Sequence, residues 1–246
     1  YLYTFIMITV NISFKPKQAT KQLLSVLPKR ASDVITKRYG IGGDAKKLTL
    51  EAIGENYGIT RERVRQIENF ALATIRKSDV FKEQAAIFEE LRKTMVSMGG
   101  LVPEHNFLEN ISPDKSTQNH VHFLLVLGDL FVKHKEDNDF AHRWSVDHDT
   151  AEKIHDSLRK LYSSLTDDEL IEESKMLERF LTHLKDVSEE YKNDEVLRRW
   201  LSLSKKIGKN PMGDWGVAHS PNVSARGVRD YAFLVLRKHG SPMHFT

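Results

Sequence analysis

A mainly α-helical fold is predicted for this 246-residue chain from three observations. Helix formers dominate, while Gly (13) and Pro (7) are sparse. Apolar residues recur at three- and four-residue spacing over several windows, and no strict apolar–polar alternation runs far enough for a sheet protein. The expected architecture is an N-terminal helix-turn-helix module, a central winged-helix-like unit with a small β-hairpin, a helical hairpin, and a truncated C-terminal helical or winged-helix start. The boundaries fall at 1–14 for an N-terminal extension, 15–78 for the helix-turn-helix, 79–147 for the winged-helix-like unit, 148–210 for a helical region and 211–246 for a linker and the incomplete start.

The opening YLYTFIMITV is apolar but only about ten residues long, half of what a bilayer span needs. It also lacks the basic start of a secretion signal. It reads as a short strand, or as an upstream extension with Met7 as the true start. A cytoplasmic protein with no membrane contact is expected.

Residues 48–68, LTLEAIGENYGITRERVRQIE, carry the most information. Thr49 is placed as an N-cap, with Glu51 in the first turn where the helix dipole favours an anion. Leu50, Ile53 and Tyr57 then share one helical face. Gly58 suits the left-handed position that ends a helix and turns the chain. Thr60 caps the next helix, whose inward stripe is Val64, Ile67, Ala71 and Leu72. Arg61, Glu62, Arg65 and Gln66 are left facing outward on its N-terminal half.

Those four residue types suit base recognition. Arg forks onto the O6 and N7 acceptors of guanine, Gln onto adenine, and Glu accepts from the cytosine amino group. The helix N-terminus and the hydroxyls of Thr49 and Thr60 suit phosphates, which set register without reading sequence. The same row also reads as a solvated face laced with local salt bridges. A Gly-hinged pair of helices favours the first reading, because that geometry is what presents such a face to a groove.

Beyond Ser78, a helix is expected over about 80–98, with Phe81, Ala85, Phe88, Leu91 and Met95 on one face before Gly99 and Gly100. LVPEHNFLENI suggests a strand-like start and a short helix, and STQNHVHFLLVLGDL a third helix. LFVKHKEDNDFAHRWSV reads as a hairpin with Phe131 and Trp144 in its flanking strands. Three helices and a hairpin are the plan of a winged helix. Its tip is acidic, which points to structural or protein-contact duty rather than minor-groove binding.

Two long acidic helices are expected from Asp147 to about Val187, the second begun by Thr166 with Glu169 in a capping box. Its buried stripe is Leu170, Leu177, Phe180, Leu181 and Leu184. DEVLRRWLSLSKKIG then predicts a basic amphipathic helix ending near Gly208, and NPMGDWG a turn anchored by Trp215. Ser224 is expected to cap a last helix carrying Val228, Tyr231, Leu234 and Val235 inward and ending at Gly240.

Charge is distributed in blocks. Residues 15–78 hold fourteen Lys or Arg against six Asp or Glu, residues 136–195 eight against eighteen, and residues 196–246 nine against two. Phosphate contacts are therefore expected at the two basic ends, and an acidic middle that avoids DNA.

Residues 23–78, LLSVLPKRASDVITKRYGIGGDAKKLTLEAIGENYGITRERVRQIENFALATIRKS, resemble region 4 of the primary bacterial sigma factors. The resemblance includes the LPKR helix start, the RYGIG turn and the ITRERVRQIE helix. It implies double-stranded DNA binding at the promoter −35 element and docking on the β flap of RNA polymerase. By the same resemblance, Arg61, Glu62, Arg65 and Gln66 are base-reading residues. Arg30, Arg38, Thr49 and Glu51, together with Thr60 and Arg63, fall near the DNA backbone. Sigma factors melt the −10 element with an upstream aromatic-rich domain, whereas about twenty residues precede the match here, so promoter opening by this chain alone is not expected. More weakly, residues 224–246 resemble the start of a HARE-HTH winged-helix domain, a family linked to bacterial transcription and DNA modification.

No catalytic constellation emerges. Cysteine is absent, which excludes disulfides and thiolate chemistry. His120 with His122 and His142 with His148 are the closest histidine sets, but neither has a metal-ligand pattern. Glu190-Tyr191-Lys192 lacks the strand and upstream acid of a nuclease motif, and no phosphate-binding Gly-rich loop occurs. No cofactor is implied, and no feature sets the oligomeric state. A sequence-specific DNA-binding transcription regulator or sigma-like factor, associated with the nucleoid, is the expected function. The alternatives are a docking module for RNA polymerase and the DNA-recognition subunit of a modification or defence system.

Overall fold

The computed structural model describes residues 11–239. The chain divides into two compact units, one drawn from residues up to Ser97 with Glu104–Val132, the other from Met98–Pro103 with the chain from Lys133 onward. This division crosses the sequence boundaries at 78 and 147. The described residues are mainly helical, with short antiparallel strands in the second unit, and no described helix is long and apolar enough to cross a membrane. The expectations for residues 1–10 and for 240–246, including Gly240 as a helix stop, lie outside the described residues.

The first unit holds α1 (Pro16–Leu24), α2 (Lys29–Tyr39), α3 (Leu50–Tyr57), α4 (Arg61–Lys77), α5 (Asp79–Glu83), α6 (Ala85–Ser97), α7 (Glu104–Ile111) and α8 (Lys115–Leu127). The single helix expected over 80–98 is thus two. Ser78 ends α4 and caps α5 by accepting from Phe81 N. The chain then turns at Gln84, which is buried and donates to Gln22 Oε1 of α1 at 2.9 Å. That turn rotates Ala85 out to solvent, while Phe88, Leu91 and Met95 stay in the core.

The helices beyond the helix-turn-helix pack back onto it. From α8, Asn119 Nδ2 donates to the carbonyls of Gly40 and Ala45 at 2.9 and 2.8 Å. Phe123 meets the Tyr39 ring edge-on at 5.1 Å. From α4, Arg76 reaches the carbonyls of Leu127 and Val126, satisfying the open C-terminal end of α8. The three helices of the expected winged-helix unit therefore belong with the helix-turn-helix, and the strands of its wing with the second unit.

In the second unit, β1 (Leu101–Pro103), β2 (Val132–His134, which begins on the last residue of the first unit) and β3 (Arg143–Ser145) form a sheet in the order β1-β3-β2, with Val102 opposite Trp144. Phe131 lies just before β2 rather than in it. Helix α9 (His148–Ser163) is capped by Asp147. The next helix, α10 (Glu173–His183), starts seven residues later than Thr166. Glu169 does accept from Thr166 N, as a capping box requires, but no helix follows. Ile171 instead exchanges two backbone hydrogen bonds with Trp215, at 2.8 and 2.7 Å.

Helix α11 (Asp194–Leu201) stops short of Gly208, which lies mid-strand in an unexpected hairpin of β4 (Ile207–Lys209) and β5 (Trp215–Val217). Helix α12 (Val228–His239) is not capped by Ser224, whose hydroxyl bonds to Ser220 O. Asp230 accepts from Arg226 N and Gly227 N in its place. Of its expected inward stripe only Leu234 is buried, while Val228, Tyr231 and Val235 are exposed.

The second unit's core gathers Phe140, Ile154, Leu161, Phe180, Leu197 and Trp200, with the Trp200 indole donating to Leu101 O. Buried Arg143 spends its guanidinium on His155 Nε2, the carbonyls of Lys135 and Ala141, and Asp137. Burial, followed by the Arg143 charge, pushes His155 down to about 4. His155 is then neutral, with Nε2 accepting from Arg143 and Nδ1–H directed at Glu152.

Burial opposes ionisation of Glu173, yet donors from Lys209, Arg198 and the Trp215 indole hold it at about 2. A carboxyl depressed on folding stabilises above its unfolded value and loses that stabilisation as pH falls through its folded value. Glu173→Gln is expected to cost about 1–3 kcal/mol at pH 7. In urea unfolding, the gap from the parent should close between about pH 5 and pH 2; a gap constant with pH would contradict this.

Candidate nucleic-acid interface

The helix-turn-helix is built from local chemistry. Thr49 Oγ1 accepts from Ala52 N at 3.1 Å and opens α3; Thr60 Oγ1 accepts from Arg63 N at 3.2 Å and opens α4. Gly58 takes the left-handed conformation between them, at φ +61°. Gly54 matters as much, because a Cβ there would lie 2.6 Å from Ile59 O. Only a hydrogen lets the turn return so close to α3. Val34, Ile53 and Val64 fill the space between α2, α3 and α4, flanked by Leu50, Tyr57 and Ile67.

That packing leaves Arg61, Glu62, Arg63, Arg65 and Gln66 exposed on the N-terminal half of α4. The Arg61 side chain is 73 % exposed and its Nη1 meets Glu51 Oε1 at 3.0 Å. Arg65 is 53 % exposed and forks onto Glu62 with bonds of 2.9 and 2.7 Å. Arg63 Nη1 donates to the Gln66 carboxamide oxygen at 2.9 Å. Hydrogen bonds from Arg65 hold Glu62 below the usual carboxylate range. For Glu51 its own backbone N–H is the first cause, followed among the favourable ones by the charge of Arg61. Solvated pairs of this kind contribute little to stability, so they exchange readily for other partners.

The remaining sequence-predicted residues divide. Arg30 is exposed at the start of α2, 5.2 Å from the Tyr57 ring centre. Arg38 bonds Leu48 O at 3.2 Å and approaches Glu68 at 3.6 Å, so it braces the loop before α3 while its side chain stays 37 % exposed. Lys37 also approaches the Tyr57 ring, 4.9 Å from its centre, and pairs with Asp33 at 2.7 Å; the Tyr57 hydroxyl also donates to Asp33. Sequence reasoning missed this cluster, although Asp33 and Lys37 stand at the i,i+4 spacing that signals a helical ion pair.

Residues 23–77 match the family described as Sigma-70, region 4. They are similar to the RNA polymerase principal sigma factor HrdD of Streptomyces viridifaciens, 44 % identical over 55 residues, or 22 % of this chain and 16 % of that protein. The RNA polymerase sigma factor SigA1 of Synechococcus elongatus is 44 % identical over 64 residues, 25 % of this chain and 16 % of its own. The sigma factor SigA of a Bacillus species is 40 % identical over 60 residues, again 16 % of that protein. The matched segment thus spans about one-sixth of these relatives and about one-quarter of this chain.

Part of the basic C-terminal block is spent on carboxylates rather than left facing outward. Arg198 and Lys209 pair with Glu173, Arg199 with Glu195, Lys205 with Glu136 and Lys206 with Asp139. Five of the nine basic residues of this block are matched to acids in this way, whereas Arg226, Arg229, Arg237 and Lys238 stay exposed. His120 and His122 are both buried on α8, and among the described residues no three His, Cys, Asp or Glu side chains gather as metal ligands do.

Two substitutions test this local construction by chemical denaturation. Gly54→Ala should cost about 1–3 kcal/mol by forcing a methyl against a carbonyl. Thr60→Ala should cost about 1 kcal/mol through the lost cap. A neutral Gly54→Ala would show that the turn is not held at contact distance.

Proposed function

We propose that this protein binds double-stranded DNA in a sequence-specific manner through residues 23–77, as a transcription regulator or sigma-like factor. In this reading α4 lies in the major groove, with Arg61, Glu62, Arg65 and Gln66 at the base edges. The observation that carries it is the exposure of this row on a doubly capped helix-turn-helix, within the segment that matches sigma-70 region 4. Thr49 and Thr60 spend acceptor lone pairs on their caps, so each hydroxyl hydrogen can still be donated to a phosphate. Arg30 and Arg63 supply charge beside the groove. Glu51, an anion, acts on the backbone indirectly by holding Arg61. Arg38 acts by fixing the loop that delivers Thr49.

Selection of duplexes from a random pool at two salt concentrations should enrich a motif similar to a −35 element. Arg65→Ala is expected to weaken the selected site roughly 5- to 150-fold and relax preference at one base pair. Arg30→Ala should weaken all sequences alike and lower the salt slope by about 1. Equal losses on selected and random duplex from Arg65→Ala would remove base reading from this helix.

One observation favours protein docking as a second role. Phe70 stands 56 % exposed on α4, beyond the base-reading half. If the module docks on a protein, this aromatic is the contact to test, and the β flap of RNA polymerase is the candidate partner. Phe70→Ala would then reduce polymerase capture and leave duplex affinity unchanged.

A further inference from the structure

A cleft of about 430 Å³ opens in the first unit between α1, the start of α2 and α8. Lys17, Thr20, Lys21 and Leu24 line it from α1, at the i, i+3, i+4, i+7 spacing that puts four side chains on one helical stripe. Ile41 and His120 line it from the facing elements. His120 is 3 % exposed and Thr20 1 % exposed. Thr20 Oγ1 and both ring nitrogens of His120 are buried with no hydrogen-bond partner among the described residues. Three unsatisfied polar atoms against one cleft are costly, because each has lost water without gaining a replacement.

We propose that this cleft binds a small oxyanion of the phosphate type. The chemistry of the lining selects the class. Thr20 offers a hydroxyl hydrogen and His120 an N–H, both donors suited to tetrahedral oxygens. Lys17 and Lys21 stand at the rim, exposed, and neither ammonium pairs with a carboxylate among the described residues. Burial first, and then the Lys17 charge, lower the His120 pKa, so the ring is neutral and presents one N–H. Asp114, at the start of α8, is the acid that acts against this lowering. Leu24 and Ile41 add apolar lining, and low polarity beside the donors strengthens each donated bond.

The bound oxyanion would bridge α1 to α8. The latter also carries Asn119, one residue from His120, on the turn after α2. Occupancy would therefore tighten the contact that holds the helix-turn-helix to its supporting helices. The anion has two sources of the same chemistry, a free phosphorylated small molecule or a backbone phosphate of bound DNA.

The test is titration of the full chain with sulfate, which keeps one charge state near neutral pH, followed by calorimetry and by the ring resonances of His120. Saturable binding that moves those resonances is expected. Thr20→Val and His120→Leu should each weaken it about tenfold, the scale of one bond to a charged group. Thr20→Val is nearly isosteric, and Lys17→Gln with Lys21→Gln alters only exposed side chains, so the proposal stays testable if His120→Leu fails to fold. Repeating the titration with saturating duplex separates the sources. Displacement of sulfate assigns the site to a DNA phosphate, and unchanged binding assigns it to a free ligand. A linear, non-saturating response, or full binding retained in Thr20→Val and His120→Leu with loss confined to the lysine variants, overturns the proposal in favour of surface screening.

Discussion

The close approach of the Ile59 carbonyl to Gly54 is the constraint from which the first unit's working surface descends. With 2.6 Å from a notional Cβ to that oxygen, no side chain fits, and the turn folds back against α3. Ile53, Val34 and Val64 can then close on one another without a void. The direction of α4 follows, and with it which of its side chains face water. A larger residue at position 54 would swing the whole row of guanidinium and carboxamide groups together rather than remove any one of them.

Charge is handled differently in the two units. On α4, opposite charges pair with neighbours three residues away or with Glu51 across the turn, all in water. Such pairs are exchangeable. In the second unit the pairing joins distant parts of the chain, as in Lys205 with Glu136 and Lys209 with Glu173, and several of these side chains are partly buried. Net charge along the sequence separates an acidic from a basic block, but folding partly merges them. On α4 the arginines instead stay exposed along one helix face.

How much was legible in the sequence depended on the range of the interaction responsible. The caps at Thr49 and Thr60 rest on residues within one helical turn, and the left-handed Gly58 on its own backbone. The outward row on α4 follows from helical periodicity alone. Elements that depend on distant partners were misread. The break at Gln84 is set by Gln22, the delayed start of α10 by the pairing of Ile171 with Trp215, and the β4–β5 hairpin by that same Trp215 segment. Thr166 and Glu169 form their local bond and still start no helix, because the ladder to Trp215 holds the following backbone extended. The bonds of Arg38 to the carbonyl of Leu48 and toward the carboxylate of Glu68 likewise join residues ten and thirty apart, which local spacing does not reveal. The burial of His120 and His122 follows from α8 being covered on nearly all sides, a packing fact that two-residue spacing does not reveal.

The carboxamide of Asn119 reaches back across more than seventy residues to grip two carbonyls of the turn that follows Tyr39. A segment so similar to a portable module is here stitched to its own chain. Grafting it into another protein by cutting after α4 would strip those carbonyls of their donor and bare the aromatic face of Tyr39. Inheritance of the exposed α4 row and of the helices behind it is thereby yoked, and drift at Asn119 would be felt first as slackness in a loop it never neighbours in sequence.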